Sequence, residues 1–378
     1  MGAIVKFLHT ADWQMGMAAR GAGEKASNVR NARYESARAI VKVAKEQQVD
    51  FVLIAGDTFE HENVGNGVVT RTVEILNDFA PLPVYVLPGN HDPLRPGGIW
   101  LQPAWKAVRE HVHLCGEQQE ISLPMEGVLY PCPLKQKQSG TDPTAWIPAR
   151  VQGDERIRIG LAHGGLTILP NLPNFPIAHD RPLRTGLDYL ALGDWHGHRK
   201  EGRAVYSGTH EQTAIDETEP GNVLVVKVAH FGAEPQIEKF RVGRLLWRRF
   251  RKDVQSVDDV AELRREVAAL SVPDQLFLRA DVHLHTANPE VVAELETIQQ
   301  ILSQTLFLLD WEVHTSSEAS EGLETLSAGN LQKLDEILSE IQQSRIPDQQ
   351  FRFAAAYSSE VVSEARRQLH ALVREARR

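Results

Sequence analysis

Five apolar, strand-like runs in this chain each end on a short cluster of polar, ligand-bearing residues. The runs cover residues 4–8, 51–55, 84–87, 157–162 and 189–192. The clusters that follow are Asp12-Trp13-Gln14, Gly56-Asp57, Gly89-Asn90-His91, His163-Gly164-Gly165 and Gly193-Asp194-Trp195-His196-Gly197-His198. Side chains at one sheet edge converge on a point only if each leaves its strand at the same end. Regularity of this kind therefore constrains the fold strongly. The clusters together offer enough oxygen and nitrogen donors for two metal ions, which suggests a metal-dependent enzyme.

From the start to about residue 240, short apolar strands alternate with amphipathic stretches at 31–47 and 68–79, the rhythm of an α/β domain. Segments rich in proline and glycine at 93–98, 131–148 and 170–182 read as long loops over the strand edge, where functional residues gather. Beyond Arg241 the pattern becomes a separate β-α-β-α-β unit: strand 243–250, helix 258–270, strand 275–284, helix 289–302 and strand 306–314. After Ser316 the chain reads as helical, and a last helix at 359–377 carries Val362, Ala365, Leu369, Leu372 and Ala376 on one face. That stripe has two open readings, packing on its own domain or docking a partner protein. The expected division is 1–240, 241–316 and 317–378.

With 378 residues and 42% hydrophobic content, the chain is long enough for two or three domains with real cores. Two cysteines, Cys115 and Cys132, supply neither a disulfide framework nor a zinc ribbon, which favours a reducing compartment and ligands other than thiolates. The N-terminal residues run straight into a strand, and no apolar run approaches the roughly 20 residues of a membrane span. A cytoplasmic protein without membrane attachment is the expectation. The formal charge of -9 argues against holding nucleic acid by bulk electrostatics, so a phosphate substrate would be held locally, by metals. Basic clusters at 199–203, 247–252 and 366–378 read first as solvated faces.

Paired metals about 3.5 to 4 Å apart can hold both non-bridging oxygens of a phosphate together with an attacking hydroxide. The group between them should be a carboxylate, and Asp57 fits, because Gly56 lets the backbone turn sharply at the strand end. In Gly89-Asn90-His91-Asp92 the Asn amide oxygen is a hard neutral ligand, while the adjacent His points towards substrate. His163, alone, would read as a hydrogen-bonded core histidine; in this company it is a candidate ligand.

The ordered set His9-Thr10-Ala11-Asp12-Trp13, Gly56-Asp57-Thr58-Phe59, Pro88-Gly89-Asn90-His91-Asp92, His163-Gly164 and Leu190-Ala191-Leu192-Gly193 resembles the calcineurin-like metallophosphoesterase superfamily. Within it, the set is similar to the SbcD-type DNA repair exonuclease subunits. The resemblance spans roughly residues 4–210. It implies an α/β fold, a four-layer α/β/β/α sandwich with an appended α+β capping domain and C-terminal helices. It also implies that Asp12, Asp57 and His196 hold one divalent ion, and Asp57, Asn90 and His163 a second, manganese in preference to magnesium. His91 would orient the phosphate and protonate the leaving 3' oxygen. The implied activity is 3' to 5' exonuclease or single-strand endonuclease cleavage of DNA by a metal-bridging hydroxide. The implied partner is a coiled-coil ATPase of the SbcC type, with a homodimer through the first domain.

The pattern departs from its relatives at ligand positions. Gln14 stands where most carry His, and is open between weak ligation and a hydrogen bond to a metal-held water. Asp194-Trp195-His196 replaces a His-x-His pair, so Asp194 becomes a hard oxygen ligand and the site shifts towards manganese or magnesium. Glu60 stands where nuclease relatives often carry a second His, with His61 next to it. His198 reads as an alternative ligand, a phosphate contact or an exposed bystander, and together with His61 and Arg199 it belongs to the candidate substrate contacts. Two rival functions follow: a small-molecule or cyclic-nucleotide phosphodiesterase, and a weakly active scaffold subunit of an SbcC-like complex.

Overall fold

The computed structural model describes residues 4–315, except 170–173, 216, 271 and 287, together with Ala365. The helical region expected at 317–378, with its apolar stripe and partner-docking role, lies outside the described residues. The chain separates into two compact units, Met1–Arg248 with Gln275–Phe277, and the remainder from Arg249 onward.

The first unit holds two six-stranded sheets. Strands β1 (Val5–Thr10), β2 (Phe51–Ile54), β3 (Val84–Val86) and β4 (Val112–Leu114) begin the first. The second comprises β5 (Ile121–Leu123), β6 (Gly127–Cys132), β7 (Ile157–His163), β8 (Tyr189–Gly193), β9 (Arg199–Glu201) and β10 (Ala204–Tyr206). The chain then returns through β11 (Asn222–Val228) and β12 (Gln236–Arg241), giving orders β12-β11-β1-β2-β3-β4 and β5-β6-β7-β8-β10-β9. Within the first sheet β1, β2 and β3 are parallel neighbours; within the second β6, β7, β8 and β10 are. Their C-terminal ends therefore emerge at one edge of each sheet, which is where a doubly covered parallel sheet places its functional loops.

Period-two alternation assigns each strand residue to a layer. Phe7, Phe51, Leu53 and Tyr85 point inward with Ile159, Leu161, Tyr189 and Ala191 of the second sheet, forming the core between the sheets. Phe7 stacks on Phe51 at 5.3 Å and meets Tyr189 edge-on at 5.2 Å, the offset geometries aromatic rings prefer. The alternate residues Leu8, Val52, Ile54, Val84 and Val86 face outward, against Tyr34, Ala37, Ile40 and Val41 of α1 (Ala26–Glu46) and Val69, Val73 and Leu76 of α2 (Asn66–Asn77). Strands covered on both faces read as unbroken apolar runs, which is why β2 is Phe-Val-Leu-Ile.

Over the second sheet, Tyr130, Ala162, Leu190, Leu192 and Tyr206 pack under Ile147, Leu166, Ile177 and Leu187. Among the described residues this outer layer contains one short helix, α3 (Arg181–Thr185); the prolines of 131–148 deny that stretch a helix. The sandwich matches the four-layer expectation, with its fourth layer made chiefly of loops. Leu53→Ala, at a fully buried site between the sheets, should destabilise the protein by about 2–5 kcal/mol in a denaturant titration.

The second unit is built on β13 (Leu246–Val254), β14 (Leu276–Leu284) and β15 (Leu308–Thr315), with α4 (Val257–Ala268) and α5 (Pro289–Thr305) between them in sequence. Ser256 caps α4 through a reciprocal pair with Asp259, so this helix starts one residue earlier than periodicity suggests. No described helix is long and apolar enough to cross a membrane.

Candidate metal centre

The clusters after β1, β2, β3, β7 and β8 meet at the common edge of the two sheets. A backbone mesh sets their spacing. Asp12 N donates to Gly56 O at 3.1 Å, Gln14 N to Asp57 O at 2.9 Å, and Asp194 N to the Asp12 carboxylate at 3.1 Å. Close approach demands glycine at two points: a Cβ on Gly56 would lie 2.2 Å from His163 Nδ1, and one on Gly89 would lie 2.1 Å from Asp57 Oδ1. Four non-glycine residues here adopt positive φ: Asp12 at 51°, Gln14 at 44°, Asp57 at 49° and Asp194 at 100°. Such backbone costs on the order of 1–3 kcal/mol per residue and persists where the surroundings over-determine it, commonly at functional sites.

Asp12, Asp57 and His163 present ligand atoms all within 4.8 Å of one another, a grouping able to hold a metal ion. All three are buried. His163 Nδ1 lies 2.8 Å from the Ala55 carbonyl and must donate to it, which leaves Nε2 as the lone pair of a neutral ring. That Nε2 faces the Asn90 amide oxygen at 2.7 Å and Asp57 Oδ2 at 3.4 Å. A lone pair directed at two acceptors is reconciled only by a proton or a cation between them. This donor set therefore fits a divalent ion, hard oxygens with imidazole being the ligands of manganese and magnesium sites.

The other side of the centre is organised around His196. Its Nδ1 lies 2.8 Å from Glu217 Oε1 and 2.9 Å from Thr213 Oγ1, so Nδ1–H donates to the carboxylate and Nε2 carries the lone pair. Gln14 Nε2 sits 2.9 Å from that lone pair and donates to it. His91 is held differently: its backbone N donates to Asp57 Oδ1 at 2.9 Å, and Nδ1 to the Glu60 carbonyl at 2.7 Å. Its Nε2 stands 4.0 Å from Asp57 Oδ2, on a ring 42% exposed.

The structure thus brings together Asp12, Gln14, Asp57, Asn90, His91, His163, Asp194 and His196. The remaining three candidates are placed otherwise. His198 donates to the Tyr206 carbonyl at 3.0 Å, Arg199 pairs with Glu201 at 2.7 Å, and the exposed His61 accepts from Asn63 N at 3.2 Å. Glu217 and Thr213 went unnoticed in the sequence: they lie in an irregular loop about twenty residues past His196, and no periodicity or motif marks them.

Charge crowding perturbs every acid here. Burial pushes the Asp12 carboxyl up to about 6, with repulsion from Asp57 and Asp194 added and His163 and His196 opposing. Burial pushes Asp92 up to about 8, again with repulsion from Asp57. Burial works to raise Asp57 as well, but His163 and His91 beside it hold it below the usual range. Burial disfavours charge on His163 and His196, yet Asp57 raises the first well above an ordinary histidine and the Glu217 hydrogen bond raises the second.

The sign for stability follows from linkage. Acids and histidines whose folded values are raised stabilise the fold while protonated, and that contribution is lost as pH rises through those values. The metal-free protein should lose stability between about pH 4 and 8, the window set by the Asp12 and Asp92 shifts. Divalent metal displaces the same protons, so its apparent affinity should rise over this window. Calorimetry in two buffers of different ionisation enthalpy should record net proton release. Metal affinity independent of pH from 5 to 8 would contradict this.

Comparison with known proteins agrees with the geometry. Residues 5–226 match the family model described as calcineurin-like phosphoesterase. The chain is 26% identical over 275 residues to the uncharacterized metallophosphoesterase YhaO of Bacillus subtilis, covering 68% of this chain and 65% of that protein. It is 29% identical over 137 residues to a subunit of the nuclease SbcCD of Bacillus subtilis, covering 33% and 32%. It is 24% identical over 354 residues to the DNA double-strand break repair protein Mre11 of Aeropyrum pernix, covering 83% and 82%. With two packed mixed sheets, a cluster able to hold a metal ion at their shared edge and a family match over more than half its length, the chain belongs to the calcineurin-like phosphoesterase family.

Proposed function

We propose that the protein is a two-metal phosphodiesterase acting on DNA, with manganese the preferred ion and magnesium a substitute. The observation that carries this reading is the donor cluster around Asp57: Asp12, Asp57 and His163 present ligand atoms within 4.8 Å of one another. Asn90 Oδ1 lies 2.7 Å and Asp194 Oδ1 3.8 Å from His163 Nε2, and Gln14 meets His196 Nε2 at 2.9 Å. In this proposal Asp12, Gln14, Asp57 and His196 would hold one ion, and Asp57, Asn90, His163 and Asp194 its neighbour. When bound, the ions neutralise the phosphodiester and make the attacking water acidic.

The protein's own groups do the rest. The Glu60 carbonyl fixes the His91 ring through Nδ1, so Nε2 is the atom that carries a proton to the leaving oxygen. Glu217 holds His196 in the tautomer whose Nε2 carries the lone pair, the atom that would ligate once the Gln14 amide turns away. DNA as substrate is supported by the similarity to the SbcCD nuclease and to Mre11. The same similarity supports an SbcC-like ATPase partner; a homodimer and a cytoplasmic location are parts of the proposal without an observation of their own.

The test is incubation with linear single- and double-stranded DNA under manganese, magnesium and chelator, alongside a cyclic nucleotide. Metal-dependent DNA degradation is expected; cyclic-nucleotide turnover with DNA left intact would move the substrate to small molecules. Glu217→Gln should weaken metal binding about 10- to 100-fold in a calorimetric titration while the fold is kept.

A further inference from the structure

Glu62 sits two residues beyond Glu60 in the loop after β2, and two cations hold it. Arg95, four residues past His91 in the loop after β3, bonds both of its carboxylate oxygens, one through Nε and the other through a terminal nitrogen. Lys137, from the loop after β6, stands 3.3 Å from the same carboxylate. Other bonds fasten these loops to one another. Leu94 N donates to the Leu134 carbonyl at 2.8 Å, Leu134 N to the Pro88 carbonyl at 3.2 Å, and His91 Nδ1 to the Glu60 carbonyl at 2.7 Å. The cluster therefore belongs to the sheet edge that carries the metal centre, next to His91 along both loops that hold that ring.

As a staple for the fold this arrangement is poorly placed. The Arg95 and Lys137 side chains are 41% and 52% exposed, and ion pairs so open to water contribute little to stability. As a grip on an anion it is well made. The Arg95 hydrogen bonds hold the Glu62 carboxyl below its usual range, so it is ionised at neutral pH. A guanidinium fork offers two parallel N–H donors that match a carboxylate and a phosphate equally, and an ammonium beside it adds a compact second charge. Glu62 thus occupies, as a monoanion, a place with the donors a phosphodiester needs.

Resting on the phosphodiesterase reading of the neighbouring centre, we propose that Arg95 and Lys137 receive the phosphate adjoining the scissile one along the substrate strand, and that Glu62 keeps their place in its absence. The exchange conserves charge: one monoanion leaves for solvent and another takes its position, so neither cation is stranded. It also sets specificity. A substrate with a neighbouring phosphate gains the two cations, less what it takes to displace Glu62, whereas an ester with a single phosphate leaves the Glu62 grip closed and gains nothing there.

The test uses thymidine carrying a 4-nitrophenyl phosphodiester on its 5' or 3' oxygen, with the other sugar oxygen either free or converted into a methyl phosphodiester. The readout, with manganese, is the ratio of kcat/KM with the second phosphate to kcat/KM without it, taken for the arrangement that gives the larger ratio. In wild type that ratio should be about three, the size of one exposed charge contact. Arg95→Ala should bring it down to about one, mainly through KM, and Arg95→Lys should recover part of it. Glu62→Gln should raise it by about threefold or more, because the competing carboxylate has lost its charge. A bridge that merely steadies the loops is broken alike by Arg95→Ala and Glu62→Gln, and would move the ratio in the same direction or leave it alone. Shifts of opposite sign are expected; any other pattern overturns the subsite alone. Wild type that turns over none of these esters overturns the phosphodiesterase reading, and the subsite with it.

Discussion

Asp57→Ala is expected to lower phosphodiester hydrolysis by at least about three orders of magnitude, roughly 4 kcal/mol of transition-state stabilisation. The size follows from position. Asp57 lies 3.4 Å from His163 Nε2, receives the His91 backbone N at 2.9 Å, and is proposed to contribute to both ligand sets. Losing it uncouples both sites and loosens the turn that presents His91. The metal-free fold should survive, because two effects oppose each other. The His91 N–H loses its acceptor, which costs about 1–3 kcal/mol. Meanwhile the repulsion that Asp57 exerts on Asp12 and Asp92 disappears. Metal should then cease to raise the melting temperature; in wild type, ion at 1,000 times its Kd adds about 4 kcal/mol. A variant that is inactive yet still stabilised by manganese as wild type is would remove Asp57 from the ligand sets.

His91→Ala is expected to reduce kcat by about 10²- to 10⁴-fold with metal binding preserved. Its Nδ1 is committed to the Glu60 carbonyl and its Nε2 stands 4.0 Å from Asp57, on a ring open to solvent. That geometry suits a group that meets substrate, and nothing in its contacts makes it part of the donor set around His163. The two variants thus separate two roles: Asp57→Ala should lose metal and rate together, His91→Ala rate alone. Equal loss of metal in both would make His91 a ligand instead.

Much of this arrangement was legible in the sequence, for a physical reason. Parallel strands buried on both faces read as uninterrupted apolar runs, and a run that stops abruptly at Asp57 or Asn90 marks the strand end where a parallel sheet presents its loops. What the residues alone left open was how neighbours divide the work. Gln14 is an example: its side-chain N–H bonds the His196 lone pair, so an ion at that Nε2 would have to turn the amide and present its oxygen. The Glu217 carboxylate behind His196 lay beyond reach because contacts between an irregular loop and a strand end follow no period. The Glu60 position is similar. As a letter in the sequence it was a departure from a family histidine; in the fold its carbonyl fixes the His91 ring, and one oxygen of its carboxylate is buried.

The start of α1 shows the opposite error. Periodicity suggested a helix from residue 31, whereas α1 runs from Ala26, its first turn buried only at Val29. A helix whose opening turn is polar and exposed has no stripe to announce it.

The most direct test of a two-metal centre is native mass spectrometry of the chelator-stripped chain titrated with manganese. Wild type should take up two ions per chain, and Asp57→Ala fewer than two at the same free metal. A wild type that saturates at one ion, or an Asp57→Ala variant that still binds two, would contradict a centre organised around a shared Asp57.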